Sequence, residues 1–205
     1  MVSSQTPIDR LVAGFRGFHA LYYEQRPERI RDLVEVGQKP KILMIACSDS
    51  RVDPAIVTNA EPGELFIVRN VANLVPPYMP DGNYHSTSAA LEFAVRDLKV
   101  EHIVVLGHSR CGGIRAFMDA SSGRSSEREF IGPWVSICHC AGGKTDSDEV
   151  ERGAIKGSIN NLMTFPWVRE RVEAGTLSLH GWWFKIETGN LWELDEETGE
   201  YEQRV

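Results

Sequence analysis

Cys47 and the pair His108 and Cys111, spaced His-x-x-Cys, are the residues of this chain best suited to hold a borderline metal ion. Two thiolates and one imidazole make a zinc-type donor set, and three protein ligands leave the fourth tetrahedral position open for water, as in a catalytic site. Spacing alone leaves a second reading open, in which a strand-end cysteine and a turn histidine hold no metal. Asp49 and Arg51 follow Cys47 closely, so an ion pair between them can fix a carboxylate beside the thiol. The plainer alternative is a surface aspartate next to an unrelated arginine. A phosphate-cradling cysteine loop does not fit, because the interval from Cys47 to Arg51 is too short and Asp49 inside it repels an anion.

These residues need elements that bring them together. Residues 41–47 form a continuous apolar run without alternation, which predicts a strand buried on both faces, as in a parallel sheet. Residues 64–69 and 101–107 read as further short strands, and a helix over 88–98 lies between them, giving a βαβ rhythm. In open parallel sheets sites collect at the carboxyl ends of strands near a switch in strand order, where Cys47 and His108 can converge. Helical apolar spacing from Ile8 to Tyr22 and a second helical stretch over 27–36, ended by Gly37, predict an N-terminal helical arm. After a loop over 120–129, the chain reads as mostly helical to about residue 163, with a short helix from Pro166. Residues 177–187 and 191–194, joined by Thr188-Gly189-Asn190, predict a closing antiparallel ribbon.

The fold class expected is therefore α/β: a mostly parallel sheet flanked by helices, extended by a C-terminal antiparallel ribbon and preceded by a helical arm. One domain over 1–205 is expected, divided into the arm (1–36), a core (37–194) and a tail (195–205). Composition narrows the function classes. With 22 Lys and Arg against 29 Asp and Glu, the net charge of −7 gives no basic footprint for nucleic acid or an anionic membrane. No apolar run approaches the ~20 residues of a membrane helix, and no secretory signal is evident, so a cytoplasmic protein is expected. Four cysteines are too few for a disulfide scaffold and read as ligands, reactive thiols or core residues.

Several strings, taken together, resemble the β-class carbonic anhydrases: Ala46-Cys-Ser-Asp-Ser-Arg-Val52 with Pro54, Pro62-Gly-Glu-Leu-Phe66, and Arg69-Asn-Val-Ala-Asn73. Ala89-Ala-Leu-Glu-Phe-Ala-Val95, Gly107-His-Ser-Arg-Cys-Gly-Gly113 and Leu179-His-Gly-Trp182 complete the likeness, which runs over about residues 10–194. The resemblance implies one zinc ion per subunit on Cys47, His108 and Cys111. It implies reversible hydration of carbon dioxide by a zinc-bound hydroxide, with Asp49 accepting a hydrogen bond from the bound water and Arg51 orienting Asp49. Phe66, Val71 and Phe93 would line the pocket for the gas beside Gly112, and the Gln38 amide would donate to the developing carboxylate. Subunits would pair as dimers or tetramers with active sites at their boundary, the arm lying on a neighbour or, alternatively, packing in cis.

Two departures refine the likeness. Phe93 stands where plant-type members commonly have tyrosine. Met44 and Phe184 stand where one subgroup, which binds bicarbonate away from the metal and switches the aspartate onto zinc at low pH, has tryptophan and tyrosine. A plant-like, non-switching member is implied, with Asp49 held by Arg51 away from the metal. The enzymatic rival is a hydrolase of carbon disulfide or carbonyl sulfide on the same scaffold. The other is a non-catalytic zinc-holding protein, against which the presence of both Asp49 and Arg51 argues. Cys138-His139-Cys140 looks like a metal cluster, but cysteines two apart on a helix point in different directions. His85 is a candidate proton relay whose bland alternative is a solvated loop histidine.

Overall fold

A computed structural model describes residues 5–124, 128–141, 143 and 145–205, with the side chains of 139–141 outside the description. Two compact units are present, Met1–Lys39 and Pro40–Val205. In the first, α1 (Pro7–His19) starts at a capping box in which Thr6 and Asp9 satisfy each other's backbone N–H groups. A wider π turn over Ala20–Gln25 leads to α2 (Pro27–Glu35), and neither helix buries a residue.

The second unit is built on a six-stranded sheet. β1 (Ile42–Cys47) and β3 (His102–His108) are the two uninterrupted apolar runs, and both are almost wholly buried. β2 (Leu65–Asn70) follows the left-handed turn at Gly63. β4 (Ser178–Lys185) lies parallel to β3, and β5 (Asn190–Leu194) returns antiparallel to it after Gly189, whose φ of 78° suits a tight turn. The order is β2-β1-β3-β4, then β5 and β6 (Tyr201–Gln203). The expected mostly parallel sheet with a closing antiparallel ribbon is present, and β6 adds a third antiparallel strand within residues read as a tail. Three residues, Tyr-Glu-Gln, carry no alternation long enough to announce a strand.

Helices α3 (Pro54–Val57), α4 (Ser86–Glu92), α5 (Gly112–Ser121), α6 (Ile131–Val135), α7 (Ser147–Leu162) and α8 (Pro166–Glu173) complete the unit. The helix expected over 88–98 is α-helical only to Glu92 and finishes as a π turn over Phe93–Asp97. One core layer packs Leu43, Ile45, Ile103 and Val105 against Leu91 and Val95 and against Ile155 and Leu162 of α7. A second gathers Cys47, Val52, Cys111, Ile114 and Val135 at the carboxyl end of the sheet. The chain runs from β1 to β2 on one side and then crosses to β3 on the other, so the carboxyl ends of β1 and β3 flank the switch point.

Candidate metal centre

Cys47 is the last residue of β1 and His108 the last of β3, while Cys111 is the N-cap of α5. A turn at Ser109 and Arg110 connects the latter two, with Arg110 at a left-handed φ of 56°. The two Sγ atoms are 3.8 Å apart, and ligand atoms of all three residues lie within 4.8 Å of one another. All three side chains are buried. The sequence thus brings together residues up to 64 positions apart by ending two neighbouring strands at the same level.

The donor set fits a dication on evidence internal to the cluster. His108 Nδ1 faces the Ser109 carbonyl at 2.8 Å, which assigns its proton to that nitrogen. The other ring nitrogen, Nε2, is buried with no hydrogen-bond partner, a costly state for a polar atom unless a ligand takes its lone pair. The thiols behave as a pair. A hydrogen bond from Cys111, opposed by burial and helped by His108 and by the Asp49 and Ala72 amides, holds Cys47 far below the ordinary thiol range. Cys111 is pushed up by sharing that bond, by burial and by the neighbouring thiolate charge. A metal ion relieves this conflict, since it favours both thiolates. Burial pulls His108 down, yet the nearby Cys47 thiolate, the Ser109 carbonyl and Asp49 leave it raised in sum.

Asp49 sits at the rim of the cluster, its Oδ2 4.0 Å from His108 Nε2. Arg51 grips it with two side-chain bonds, Nε to Oδ1 at 2.9 Å and Nη2 to Oδ2 at 2.7 Å, and with its backbone N–H. That grip outweighs partial burial and holds the Asp49 carboxyl well below the usual carboxylate range. Arg51 also donates to the Arg110 carbonyl at 3.2 Å, tying the loop after β1 to the turn after β3.

Three supports were not legible as such. Arg69, read only as part of a string, donates to the carbonyls of Cys47 and Asp49 and to the Asp53 carboxylate, so one guanidinium fixes the loop bearing the first ligand. An arginine closing an otherwise apolar strand was the available signal. Glu187 accepts from Ser109 Oγ and pairs with Arg110, clamping the left-handed turn. Buried Glu151 accepts from the Cys111 N–H at 3.2 Å, from Ser147 and from the Trp183 indole, and burial pushes its pKa up. Nothing in a polar helix such as α7 singles out that glutamate.

A cleft of about 380 Å³ opens at the cluster, lined by Cys47, Asp49, Val71, Gly112 and, from α5 and α6, Ala116 and Ile131. Val71 and Gly112 are therefore in the cleft. Phe66 and Phe93 are not among its lining; their rings pair with each other at 5.9 Å, and Phe93 is 44% exposed. Gln38 belongs to the first unit and is exposed. His85 pairs with Asp81 at 2.6 Å beside a different cavity. Cys138 is buried in the second core layer outside the ligand cluster, and the side chains of His139 and Cys140 lie outside the described residues.

Val71 is held by a close approach. A Cβ on Gly113 would come within 2.6 Å of Val71 Cγ1, 2.8 Å of Ala72 Cβ and 3.3 Å of the Ala72 backbone nitrogen. Gly113→Ala is expected to cost about 1–3 kcal/mol through overpacking. Thermal unfolding checks this: a midpoint lowered by roughly 2–10 °C is expected, and an unchanged midpoint contradicts it.

Comparison with known proteins agrees with this geometry. Residues 42–191 match a family model described as carbonic anhydrase. The chain is 39% identical over 206 residues to beta carbonic anhydrase 3 of Arabidopsis thaliana, covering 93% of this chain and 79% of that protein. It is 40% identical to beta carbonic anhydrase 5, chloroplastic, of the same plant, over 91% of this chain, and spans 65% of that longer protein. Among solved structures, the β-carbonic anhydrase CcaA superposes with a TM-score of 0.84 at 30% identity, covering 97% of this chain and 92% of that one. A tetrameric β-carbonic anhydrase from Sordaria macrospora gives 0.77 at 31% identity, over 91% and 96% of the two chains.

Proposed function

Because the chain belongs to the β-class carbonic anhydrase family, whose metal is zinc, we propose that it interconverts carbon dioxide and bicarbonate at the centre formed by Cys47, His108 and Cys111. The observation that carries this reading is the Asp49 carboxylate, fixed by Arg51 within 4.0 Å of the unpartnered His108 nitrogen. Zinc, when bound, supplies a nucleophilic oxygen from water near neutral pH. The chain's own residues do the rest. Two thiolates would neutralise the charge of the ion, and Asp49, kept ionised by Arg51, is placed to accept and orient a hydrogen bond from a water at the centre. The net conversion would take one carbon dioxide and one water to bicarbonate, with one proton released to solvent. Val71 supplies an apolar wall for the gas.

The remaining pocket groups, Phe66, Phe93 and the Gln38 amide, are assigned here to the subunit boundary, where a neighbouring copy presents them. The exposure of Phe93 and its absence from the cleft of its own chain support that placement, as does the tetramer named for the Sordaria relative. The exposed apolar residues Leu11, Phe15 and Phe18 of α1 suit an arm that covers a neighbour in such a dimer or tetramer. The plant-like, non-switching reading rests on Met44 and Phe184 and on the two-pronged grip of Arg51 on Asp49. A cytoplasmic setting is supported by a site that needs reduced thiols; among the described residues no helix is long and apolar enough to cross a membrane.

Parallel assays of one zinc-loaded sample test the substrate. Carbon dioxide hydration at a rate far above carbonyl sulfide and carbon disulfide hydrolysis is expected. Faster turnover of either sulfur compound assigns the scaffold to the rival hydrolase.

A further inference from the structure

A second cavity of about 220 Å³ adjoins the metal cleft and shares Gly112, Ala116, Arg128 and Ile131 with it. Its character is set by charge. Arg115 and Asp119 are one helical turn apart on α5, with Arg115 Nε 3.5 Å from Asp119 Oδ2. Arg124 closes on the same carboxylate from the end of that helix, Nη2 to Oδ1 at 3.2 Å, and its backbone N–H bonds the Asp119 carbonyl at 2.8 Å. Arg128 has no ion pair among the described residues. Three guanidiniums therefore line one small cavity with a single carboxylate, in a chain whose net charge is −7.

Exposed pairs of this kind add little to stability, so the concentration of like charge has no evident structural return. A guanidinium presents a planar fork of donors that matches an oxyanion. The cavity is smaller than the ~300 Å³ at which drug-sized ligands begin to be held, so its occupant is small. We propose that Arg115, Arg124 and Arg128 form a binding site for a small oxyanion, bicarbonate or inorganic phosphate, beside the metal cleft. Asp119 holds Arg115 and Arg124 in place and weakens the site by its own charge. The bicarbonate arm rests on the carbonic anhydrase reading, because the anion would then be the product leaving along the shared wall. The phosphate arm stands without it.

Calorimetric titration of the zinc-loaded protein in low-chloride buffer, with sodium bicarbonate and separately with inorganic phosphate, tests the site. Arg115→Gln/Arg124→Gln is expected to weaken binding of at least one anion tenfold or more, and Asp119→Asn to tighten the same anion several-fold. The responding anion identifies the source. Binding at the metal itself persists in all three proteins and subtracts out, and unchanged zinc content shows that the variants fold. Equal affinities in wild type and both variants, for both anions, overturn the proposal. Carbon dioxide hydration measured on the same wild-type sample reports separately on the proposed activity, so failure of one reading does not conceal failure of the other.

Discussion

Cys47→Ala protein is expected to purify with less than a tenth of the wild-type zinc and to hydrate carbon dioxide no faster than buffer. The reason is additive at one point in space. Cys47 supplies one of the two thiolates that balance a dication in a buried site, and the nearby carboxylate of Asp49 is held by Arg51 at the rim rather than in the cluster. A buried dication with one thiolate and one imidazole keeps an uncompensated charge away from water, which disfavours binding strongly. Cys111→Ala should behave alike. Cys138→Ala is the control: Cys138 is equally buried in the second core layer but outside the cluster, so zinc and hydration should survive its loss. Zinc quantification on each purified variant decides the matter, and full zinc in Cys47→Ala contradicts the assigned ligand set.

Asp49→Asn separates holding the metal from using it. The amide has nearly the shape of the carboxylate and leaves Cys47, His108 and Cys111 untouched, so zinc content should match wild type. It cannot accept the two charge-assisted bonds from Arg51 as a carboxylate does, nor serve as an anionic acceptor for the attacking water. Loss of such a group costs roughly 10²–10⁴ in rate, and stopped-flow hydration should show a fall in that range. The wild-type Asp49 carboxyl is held well below the usual range, so it stays ionised from mildly acidic to alkaline pH. A decline of wild-type activity between pH 8 and 6 is therefore not protonation of Asp49. Wild-type hydration by Asp49→Asn protein contradicts the role given to Asp49.

Much of the fold and of the ligand set could be read from residue order because both rest on strong local signals. Two uninterrupted apolar runs, each stopping at a metal-type ligand, dictate buried parallel strands, and buried parallel strands put their carboxyl ends on one edge. What stayed hidden depends on contacts between distant elements. Glu151 meets the Cys111 amide across 40 positions and Glu187 meets Ser109 across 78, with no periodicity or motif to mark either glutamate. The Phe66 and Phe93 rings look like pocket residues in a string of letters, whereas a single chain pairs them with each other. β6 escaped notice because a three-residue edge strand is stabilised by its pairing with β5 and not by any pattern of its own.

Zinc-dependent carbon dioxide hydration at the Cys47, His108 and Cys111 centre is the activity on which the other proposed roles depend. Stopped-flow hydration on freshly purified, reduced protein at pH 7 and at pH 8.5, with zinc quantified in the same sample, tests it most directly. Fast hydration is expected at both values, proportional to bound zinc and modestly greater at the higher pH. Full zinc occupancy with no hydration at either pH contradicts it.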